Sequence, residues 1–573
     1  MTIYKSPYPS VPIPDESVYT HLFGPTYSHI PSSLPAFIDA ATGLTITRDE
    51  LHKLTLSLAW GLRNEFSRTG GVSLTRGDTI MIFSPNSIAW PIALLGSQAA
   101  GLCTTLANSG YTPRELEHQY KDSGATAVFA HPSLLPVVLE MFRGIKVDEA
   151  EAKRRIIISD FGLNEQLPAG YRRLSELLGK GSLKEEEKFP GKQANSTAYL
   201  CYSSGTTGKP KGVESSHRNI VTIIKIVPSG YPTTTVGKDV MLGVLPFYHI
   251  YGAVKLLLFQ FAIGVPVVIM SKFDPVEYCR NIEKYKVTSS LIVPPICLAL
   301  LHHPATSQFN LSTLRFLTSG AAPLSGELSS ATMKKLKSLG ADVYINQGYG
   351  LTETSPTTHL NPLADAITKP KSVGLLLPNL EARLVNDDVN EAVEGEPGEL
   401  WIRGPSIMKG YLNNPSATTN SITPDGWFKT GDIAVRDKEG FYYIVDRRKE
   451  LIKYKGFQVP PAELEAVLLT HPEIVDVAVI GVDSEKEATE LPRAYVVHAK
   501  GLLTGDDAVA FGKSVQKWIE SRVAKHKFLR GGVVVTDVIP KSAAGKILRR
   551  ELRERAKKEI LTDPEFAKAR ARL

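Results

Sequence analysis

A loop rich in hydroxyl groups and glycine is the stretch of this chain best suited to chemistry. Its residues are Ser203-Ser204-Gly205-Thr206-Thr207-Gly208, and Lys211 follows shortly after. Glycines let the backbone turn tightly and bring its N–H groups close to an anion. The hydroxyls add donors for phosphate oxygens, and the lysine supplies a compact positive charge. The spacing is not that of a Walker A loop. The pattern predicts a cradle for a polyphosphate.

A hydroxyl-rich stretch can also be a plain surface loop or linker. Here an apolar strand-like run at 198–202 precedes the loop, and an apolar run with helical spacing at 220–224 follows it. Linkers are rarely flanked so tightly, so nucleotide binding is the favoured interpretation. By itself the loop does not indicate which reaction takes place.

Three further blocks place polar or aromatic groups beside tight turns. They are the aromatic stretch 245–252 around His249, the small-residue turn 318–324, and Gln347-Gly348-Tyr349-Gly350-Leu351-Thr352-Glu353-Thr354. A histidine among aromatic residues is more often a core residue than a catalyst, but this one could line an apolar acyl pocket. The small turn suits a flat ring, and the third block suits base stacking, phosphate contact and Mg²⁺ binding. The alternative for the third block is an ordinary glycine turn with an exposed glutamate.

Charged groups continue through the C-terminal third of the chain. Asp432 follows a tight turn and is suited to bridging ribose hydroxyls, and a charged segment occupies 446–458. Lys546 lies on a glycine-containing loop that precedes a basic helix. Each block alone is only moderately specific.

The elements that must position these groups alternate between helix-like and strand-like segments. Residues 51–66 have helical spacing and 79–83 form a short apolar run. Further strand-like runs recur near 125–130, 266–270, 289–293 and 314–319. This order predicts an α/β fold with parallel sheets.

The texture of the chain changes near residue 385, where short strands and glycine turns take over. After Asp446-Arg447-Arg448-Lys449 a compact α+β pattern follows, with a helix beginning at Pro460-Pro461 and strands at 475–482 and 494–499. We therefore predict a large N-terminal domain, residues 1–446, that includes a small β-rich subdomain at about 385–446. Residues 447–573 would form a small mobile C-terminal domain, with the charged boundary as its hinge.

Composition bounds these interpretations. The chain has 573 residues, 43% hydrophobic and 22% charged, which is typical of a globular protein with more than one core. Its net charge of +7 is concentrated after residue 541, and no basic stripe interleaved with aromatic residues occurs, so nucleic acid is not the expected partner. Four widely separated cysteines argue against a disulfide framework or structural zinc and fit a reducing compartment. Polar residues interrupt the apolar run 240–270, which indicates buried core rather than a membrane span.

The last three residues, Ala571-Arg572-Leu573, have the small–basic–leucine form of a peroxisomal address. The N-terminal residues lack the apolar segment of a secretory signal. We expect a peroxisomal protein that meets its import receptor through this tail, and otherwise a cytoplasmic one. A chance ending is the alternative.

Together, and in this order and spacing, the blocks resemble the ANL superfamily of adenylate-forming enzymes, which includes acyl-CoA synthetases, peptide-synthetase adenylation domains and luciferases. Within it the chain most resembles the 4-coumarate–CoA ligase-like branch in its fungal, peroxisomal form, over nearly its whole length. The resemblance implies ATP, CoA and a small-molecule carboxylic acid as substrates, with Mg²⁺ as the metal.

The resemblance also implies roles by position. The ATP-binding or AMP-binding set is Ser203, Ser204, Gly205, Thr206, Thr207, Gly208, Lys211, Gly320, Ala321, Ala322, Tyr349, Gly350, Thr352, Asp432, Arg447 and Lys546. The catalytic set is Lys546, Lys453, Gln458, Thr352 and Glu353, of which Glu353 would hold Mg²⁺. The CoA path would include Lys455, Gly456 and Phe457, and the hinge would be Lys449.

The positions that match the acyl pocket of hydroxycinnamate ligases are His249, Tyr251, Lys255, Thr318, Gly320, Gly348 and Pro356. Lys255 replaces a small neutral residue and Thr318 replaces a lysine, which disfavours 4-coumarate itself as the substrate. We expect the Lys255 side chain to extend to the surface. If it points inward, it favours an acid with a distal acidic or strongly polar group.

We predict an acid–CoA ligase that converts an aryl, aryl-alkanoic or medium-chain carboxylic acid into acyl-AMP with pyrophosphate release and then transfers the acyl group to CoA. The alternatives are a stand-alone adenylating enzyme with a non-CoA acceptor, a luciferase-type side activity, and a non-catalytic nucleotide-binding regulator. The short stretch after Lys546 disfavours a carrier-protein segment, and the joint presence of Lys546, Lys453, Gln458 and Glu353 disfavours the regulator.

Overall fold

The computed structural model describes residues 2–163, 169–203, 210–386, 390–393, 395–455, 457–484, 489–542 and 545–562. Several predicted site residues lie outside this part: Ser204 to Gly208, Gly456, the side chain of Gln458, and Ala571-Arg572-Leu573.

The first sheet of the large domain contains the two strands that flank the hydroxyl-rich loop. Its central strands are parallel to one another, whereas the two flanking strands pair antiparallel near one edge of the sheet. The predicted strand Thr79–Phe83 is confirmed, and it lies at the middle of this sheet with nearly every side chain buried, as an apolar run in a parallel sheet should. In the described residues the strand order is Gly410–Tyr411, Lys211–Ser216, Thr197–Ser203, Cys103–Ala107, Thr79–Phe83, Ala125–Ala130, Ile156–Ile158 and Arg172–Arg173.

The second sheet supplies the strand ends on which the other predicted blocks lie. Its central strands are also parallel, and antiparallel strands close both edges. Within the described part of the chain its order is Leu375–Leu376, Thr357–Leu360, Tyr344–Gly350, Phe316–Ser319, Ser289–Ile292, Met241–Gly243, Val267–Ile269, Pro35–Asp39 and Thr45–Thr47. Ligands of open α/β sheets bind beyond the carboxyl ends of such parallel strands.

A third, antiparallel sheet holds the short strands after residue 380. Where the structure describes them, these are Tyr4–Lys5, Glu381–Asn386, Gly398–Arg403, Phe428–Arg436 and Tyr442–Arg447, with Asn390–Glu391 beside Glu381–Asn386. The N-terminal strand Tyr4–Lys5 pairs with Glu381–Asn386, so the beginning of the chain is fastened to this sheet.

Helices cover the sheets of the large domain, and several begin with the capping groups that the sequence offers. Thr112 and Glu115 form a reciprocal capping box with Pro113 in the first turn, and Thr47 with Glu50 does the same. The described α-helices of this domain are Val18–Phe23, Arg48–Trp60, Phe66–Arg68, Ala89–Ala99, Pro113–Asp122, Leu135–Gly144, Glu149–Arg155, Leu174–Leu177, His217–Ile226, Ile250–Gly252, Gln260–Ala262, Pro275–Tyr285, Pro294–His302, Gly326–Ser338 and Pro415–Ser421. Two π-helical stretches, Gly61–Glu65 and Ala253–Phe259, extend helices of this set.

The small C-terminal domain has its own apolar core. The hairpin Ile452–Tyr454 and Phe457–Val459 precedes a sheet of Ile474–Ser484, Thr489–His498 and Val533–Val535. Its α-helices are Pro461–Leu468, Gly505–Glu520 and Arg549–Thr562, and the predicted helix start after Pro460 is confirmed. The fold is therefore the expected α/β class, with a large N-terminal and a small C-terminal domain.

Two further observations bear on the sequence predictions. All four cysteines are free and buried. In the part of the chain that the structure describes, no helix combines the length and the hydropathy needed to cross a bilayer.

Candidate active site

The base of the phosphate loop is a strand pair. Ser203, the last residue of Thr197–Ser203, lies directly opposite Lys211, the first residue of Lys211–Ser216. The antiparallel pairing holds the two ends of the loop side by side, so Ser203 and Lys211 are neighbours at the base of the loop. Ser203 Oγ donates to Glu353 Oε1 at 3.0 Å, which joins this loop to the third predicted block.

Glu353 lies just beyond the strand Tyr344–Gly350, in the short 3₁₀ turn Thr352–Thr354. Its Oε1 atom also accepts a hydrogen bond from the Tyr411 hydroxyl at 3.0 Å. Lys211 Nζ lies 4.4 Å from the centroid of the Tyr411 ring. The alternative of an exposed glutamate is wrong, because Glu353 is only 8% exposed. The sequence patterns did not predict this contact of Tyr411, whose one signal is its position directly after Gly410.

The residues around Glu353 are suited to Mg²⁺. Among the described residues no group of three or more histidine, cysteine or acidic side chains is arranged so that it could hold a metal ion. Mg²⁺ usually keeps several waters and is held by one or two carboxylates together with substrate phosphates. A single buried carboxylate beside the phosphate loop therefore fits this metal.

A second acidic group lies on the antiparallel sheet. Asp432 and Arg447 are direct partners on neighbouring strands, and Arg447 Nε is 3.3 Å from Asp432 Oδ1. The Tyr349 hydroxyl donates to Asp432 Oδ2 at 2.6 Å. Burial raises the pKa of Asp432, although Arg447 and Tyr349 oppose this effect. Burial and the neighbouring Asp432 raise the pKa of Tyr349 well above its usual value, so Tyr349 remains a donor.

The small-residue turn follows the strand Phe316–Ser319. Ala321 has a φ of +67°, a left-handed conformation that non-glycine residues adopt rarely and that is concentrated at functional sites. A Cβ atom on Gly320 would lie 3.2 Å from the Tyr251 ring, so glycine allows this ring to approach the backbone. Gly320, Ala321 and Ala322 thus follow a strand that pairs directly with the strand ending in Tyr349 and Gly350.

Lys546 lies on a loop of the small domain that rests on the large domain. The loop is closed by a bridge between Lys541 and Ile547 and by the hydrogen bond from Lys546 N to Ser542 Oγ at 3.2 Å. Gly545, with a φ of +76°, passes so close to the large domain that a Cβ atom there would lie 3.3 Å from Val293 Cγ2. Val293 directly follows the strand Ser289–Ile292, so the loop meets the carboxyl end of the second sheet.

The electrostatic surroundings of Lys546 place it in the same site. Burial lowers the pKa of Lys546, and the nearby Arg447 adds to this effect, whereas Glu353 and Asp432 oppose it. Burial lowers the pKa of His249 to about 3, with a further contribution from Lys546. Lys546 is therefore close to Glu353, Asp432, Arg447 and His249, although nearly two hundred residues separate it from Glu353.

His249 is neutral and has a fixed orientation. Its Nδ1 atom accepts the backbone N–H of Tyr251 at 3.2 Å, which caps the helix Ile250–Gly252. The proton of the neutral ring is therefore on Nε2. This role is structural, and it presents the aromatic stretch 245–252 to the site.

The predicted acyl-pocket residues lie on adjacent elements. The Tyr251 hydroxyl donates to the Thr318 carbonyl at 3.3 Å, and Thr318 Oγ1 contacts Asn346 Oδ1 at 2.8 Å. Gly348 pairs with Leu360 on the next strand, and Pro356 is buried. The expectation that Lys255 extends to the surface is wrong. Lys255 is 2% exposed and lies in the π-helical stretch Ala253–Phe259.

The hairpin predicted to serve CoA and the adenylate packs on the small domain. Lys453 and Gln458 are direct partners across it, and Lys453 and Phe457 are exposed. The backbone N–H groups of Lys453 and Lys455 donate to Glu490 and Thr489 of the small domain, and Phe457 stacks on His526 with ring centroids 4.5 Å apart. In its described residues the hairpin contacts the small domain, whereas the Lys546 loop contacts the large domain.

A cluster of charged residues of the small domain lies directly after the predicted hinge in the chain. Lys449 is exposed, and the next residue, Glu450, lies with its Oε2 atom 3.0 Å from Arg549 Nε. Arg549 also pairs with the buried Glu465 at 2.9 Å. Arg549 is the first residue of the helix Arg549–Thr562 and follows Lys546 by three residues, so this cluster (Glu450, Glu465 and Arg549) holds the Lys546 loop near the hinge.

Comparisons with known proteins agree with this geometry. Residues 30–412 match the family described as AMP-binding enzyme, and residues 463–546 match the AMP-binding enzyme C-terminal domain. The chain is 37% identical over 560 residues to 4-coumarate–CoA ligase-like 4 of Oryza sativa subsp. japonica. This alignment covers 96% of this chain and 95% of the relative. It is 35% identical over 552 residues to peroxisomal OPC-8:0-CoA ligase 1 of Arabidopsis thaliana, covering 96% and 94% respectively.

Solved structures show the same fold. ATP-bound MatB from Rhodopseudomonas palustris superposes with a TM-score of 0.79 at 26% identity, covering 95% of this chain and 99% of that chain. An anthranilate CoA ligase, AuaEII, in complex with anthranoyl-AMP gives 0.80 at 21% identity, covering 96% and 98%, which supports the fold alone. The chain therefore belongs to the AMP-binding enzymes of the ANL superfamily and is an AMP-forming acyl-CoA synthetase of the 4-coumarate–CoA ligase-like type.

Proposed function

We propose that the protein activates an aryl, aryl-alkanoic or medium-chain carboxylic acid as acyl-AMP in the site around Lys546 and then transfers the acyl group to CoA. The observation that carries this proposal is the position of Lys546. It comes from the small domain, yet it lies among Glu353, Asp432, Arg447 and His249 of the large domain.

The first half-reaction joins two anions. A carboxylate oxygen of the acid bonds to the α-phosphorus of ATP while the bond from that phosphorus to the bridging β-phosphate oxygen breaks, and pyrophosphate leaves. Lys546 is suited to offset the developing charge, and Thr352 is suited to contact the α-phosphate. A charge pair at 4 Å is worth about 4 kcal/mol at an effective dielectric near 20, so one lysine can change the rate by about 10³-fold.

The remaining groups bind and orient the nucleotide. Asp432, held between Arg447 and Tyr349, offers carboxylate oxygens to the ribose hydroxyls. The phosphate loop after Ser203, with Lys211, would bind the β- and γ-phosphates. Glu353 would hold Mg²⁺, which when bound neutralises phosphate charge.

The second half-reaction needs another arrangement of the small domain. We propose that this domain turns about Lys449, which withdraws Lys546 and brings the hairpin with Lys453, Lys455, Phe457 and Gln458 to the acyl-AMP. The thiol of CoA then attacks the acyl carbon, and AMP leaves. The exposed position of the hairpin in the present arrangement supports this alternation.

The acid is expected to differ from 4-coumarate. Thr318 contacts Asn346 where hydroxycinnamate ligases carry a lysine, and Lys255 is buried. The Arabidopsis relative is named as a ligase of OPC-8:0, and the rice relative as 4-coumarate–CoA ligase-like, so both aryl and longer acyl chains belong in the test panel.

The test is a panel of carboxylic acids with ATP and Mg²⁺, in which pyrophosphate release is measured with and without CoA and thioester formation is followed by mass. The proposal expects thioester from at least one acid. Pyrophosphate release without thioester would favour an enzyme that passes acyl-AMP to another acceptor, and no release with any acid would refute the proposal.

We also propose a peroxisomal location, based on Ala571-Arg572-Leu573 and on the peroxisomal name of the Arabidopsis relative. A fluorescent protein fused to the N-terminus should enter peroxisomes, and removal of the three residues should leave it in the cytosol. Unchanged import of the shortened protein would contradict this address.

A further inference from the structure

The buried lysine of the acyl-binding region has no counter-charge. Among the described residues, Lys255 Nζ has no hydrogen-bond partner, and the side chain is only 2% exposed. Its ammonium lies 4.9 Å from the centroid of the Tyr231 ring and 4.3 Å from that of Phe259. Burial alone lowers its pKa to about 7, with no contribution from an acidic side chain. Two aromatic faces compensate only part of the hydration that a buried ammonium loses.

Two polar groups near Lys255, the Tyr231 hydroxyl and the Gln260 side-chain amide, can each make a further hydrogen bond. The Tyr231 hydroxyl accepts a hydrogen bond from Gln260 Nε2 at 3.1 Å, which leaves its own proton available to a ligand. Gln260 Oε1 is buried without a partner in the part of the chain described. Buried polar groups are nearly always satisfied by protein, water or ligand, so this group of side chains points to a polar ligand.

Side-chain contacts link this place to the residues of the predicted acyl pocket. Lys255 follows Tyr251 by four residues on one helical stretch, so both side chains lie on the same face. Tyr251 contacts Thr318 and the edge at Gly320. Phe316, two residues before Thr318 and therefore on the same face of its strand, packs against Tyr231 with ring centroids 5.7 Å apart. A path of contacts thus runs from the site of acyl transfer to Lys255.

We propose that Lys255 binds a second, distal carboxylate of the acid substrate, so that the enzyme activates one end of a dicarboxylic acid while the other end pairs with Lys255 and Tyr231. This inference rests on the proposed function and narrows its substrate class. A carboxylate is favoured over a neutral group because it supplies the missing counter-charge and accepts from both free donors.

The test uses acids in matched pairs: octanoic with octanedioic acid, and cinnamic with para-carboxycinnamic acid. Thioester formation is measured as kcat/KM for the wild type, for Lys255→Met, which keeps the length and removes the charge, and for Lys284→Met. Lys284 is an exposed lysine beside the Tyr285 ring and serves as the matched control. We expect the wild type and the control to prefer the diacid of at least one pair by about 10-fold or more. Lys255→Met should lose about 100-fold on that diacid and retain the monoacid, since one partner of a buried charge pair is removed.

The outcomes separate this inference from the proposed function. Thioester from monoacids with the same diacid-to-monoacid ratio in wild type and Lys255→Met would overturn the role of Lys255 and leave the proposed function standing. If no acid is turned over, calorimetric binding of the same pairs decides. Diacid binding that depends on Lys255 supports the inference, and binding that is equal in wild type and variant refutes it.

Discussion

Replacing Lys255 by methionine should stabilise the unliganded protein, and the gain should depend on pH. The ammonium is buried beside Tyr231 and Phe259 without a carboxylate, and burial lowers its pKa from 10.5 to about 7. Methionine fills a similar volume with an apolar chain, so the substitution removes the cost of burying a charge without opening a large cavity.

The sign follows from the two pKa values. Below pH 7 both the folded and the unfolded protein carry the charge, and the folded state bears the full burial cost. Between pH 7 and 10.5 the lysine is neutral when folded and protonated when unfolded. The unfolded state then binds more protons, and the stability of the wild type rises with pH. At about 1.4 kcal/mol per pKa unit, the advantage of Lys255→Met should shrink by about 3 kcal/mol between about pH 6.5 and 9.5.

The assay is calorimetric unfolding of the wild type, Lys255→Met and the control Lys284→Met at both pH values. For a domain of roughly 450 residues, about 3 kcal/mol corresponds to a shift in Tm of about 3 °C. The difference in stability between the wild type and each variant is compared at the two pH values, because titrations that the proteins share cancel in this difference. An advantage of Lys255→Met that stays the same at both pH values would refute the burial of an uncompensated ammonium.

Three further predictions concern the two half-reactions. Lys546→Ala should slow pyrophosphate release by about 10³-fold and leave thioester formation from supplied acyl-AMP nearly unchanged. Lys513→Ala, at an exposed lysine of the same domain, serves as the control. Equal loss of both half-reactions would contradict the assigned role. Tyr411→Phe removes the hydroxyl that donates to Glu353. It should lower kcat/KM for adenylation by about 10- to 100-fold, because a hydrogen bond to a charged group is lost. A change under about twofold would show that Tyr411 is dispensable. Glu450→Gln weakens the pair with Arg549 by up to about 1 kcal/mol and should lower the rate of adenylation by roughly 2- to 5-fold. Thioester formation from supplied acyl-AMP should not change in the same two assays. A selective loss of the second half-reaction would contradict this role.

Much of the fold could be predicted from local pattern. Short apolar runs such as 79–83 and 125–130 are buried strands because an apolar run of this length suits a strand covered on both faces. The blocks that carry polar groups follow strand ends, as at 316–319 and 344–350. Parallel strands bring such ends to one edge of a sheet, so the clustering of these blocks also followed from their order.

What local pattern could not give was long-range pairing. Tyr411 and Glu353 are 58 residues apart in the chain, and no periodicity predicts that the hydroxyl of one meets the carboxylate of the other. The burial of Lys255 has a similar cause. A lysine on an apolar helix can reach the surface where its side chain is long enough, but here every residue of Ala253–Phe259 is buried and the ammonium lies beside the rings of Tyr231 and Phe259.

The buried cysteines have a practical consequence for testing the proposed domain rotation. Burial raises the pKa of Cys103 and Cys297 to about 12 and that of Cys279 to about 11, and it raises the pKa of Cys201 as well. At neutral pH these thiols are protonated and shielded, so they react slowly with maleimides and nitroxide reagents. Cysteines introduced at the exposed positions Lys438 and Lys500 would therefore accept spectroscopic labels selectively in the otherwise native sequence, and the distance between the labels would report each half-reaction as it occurs.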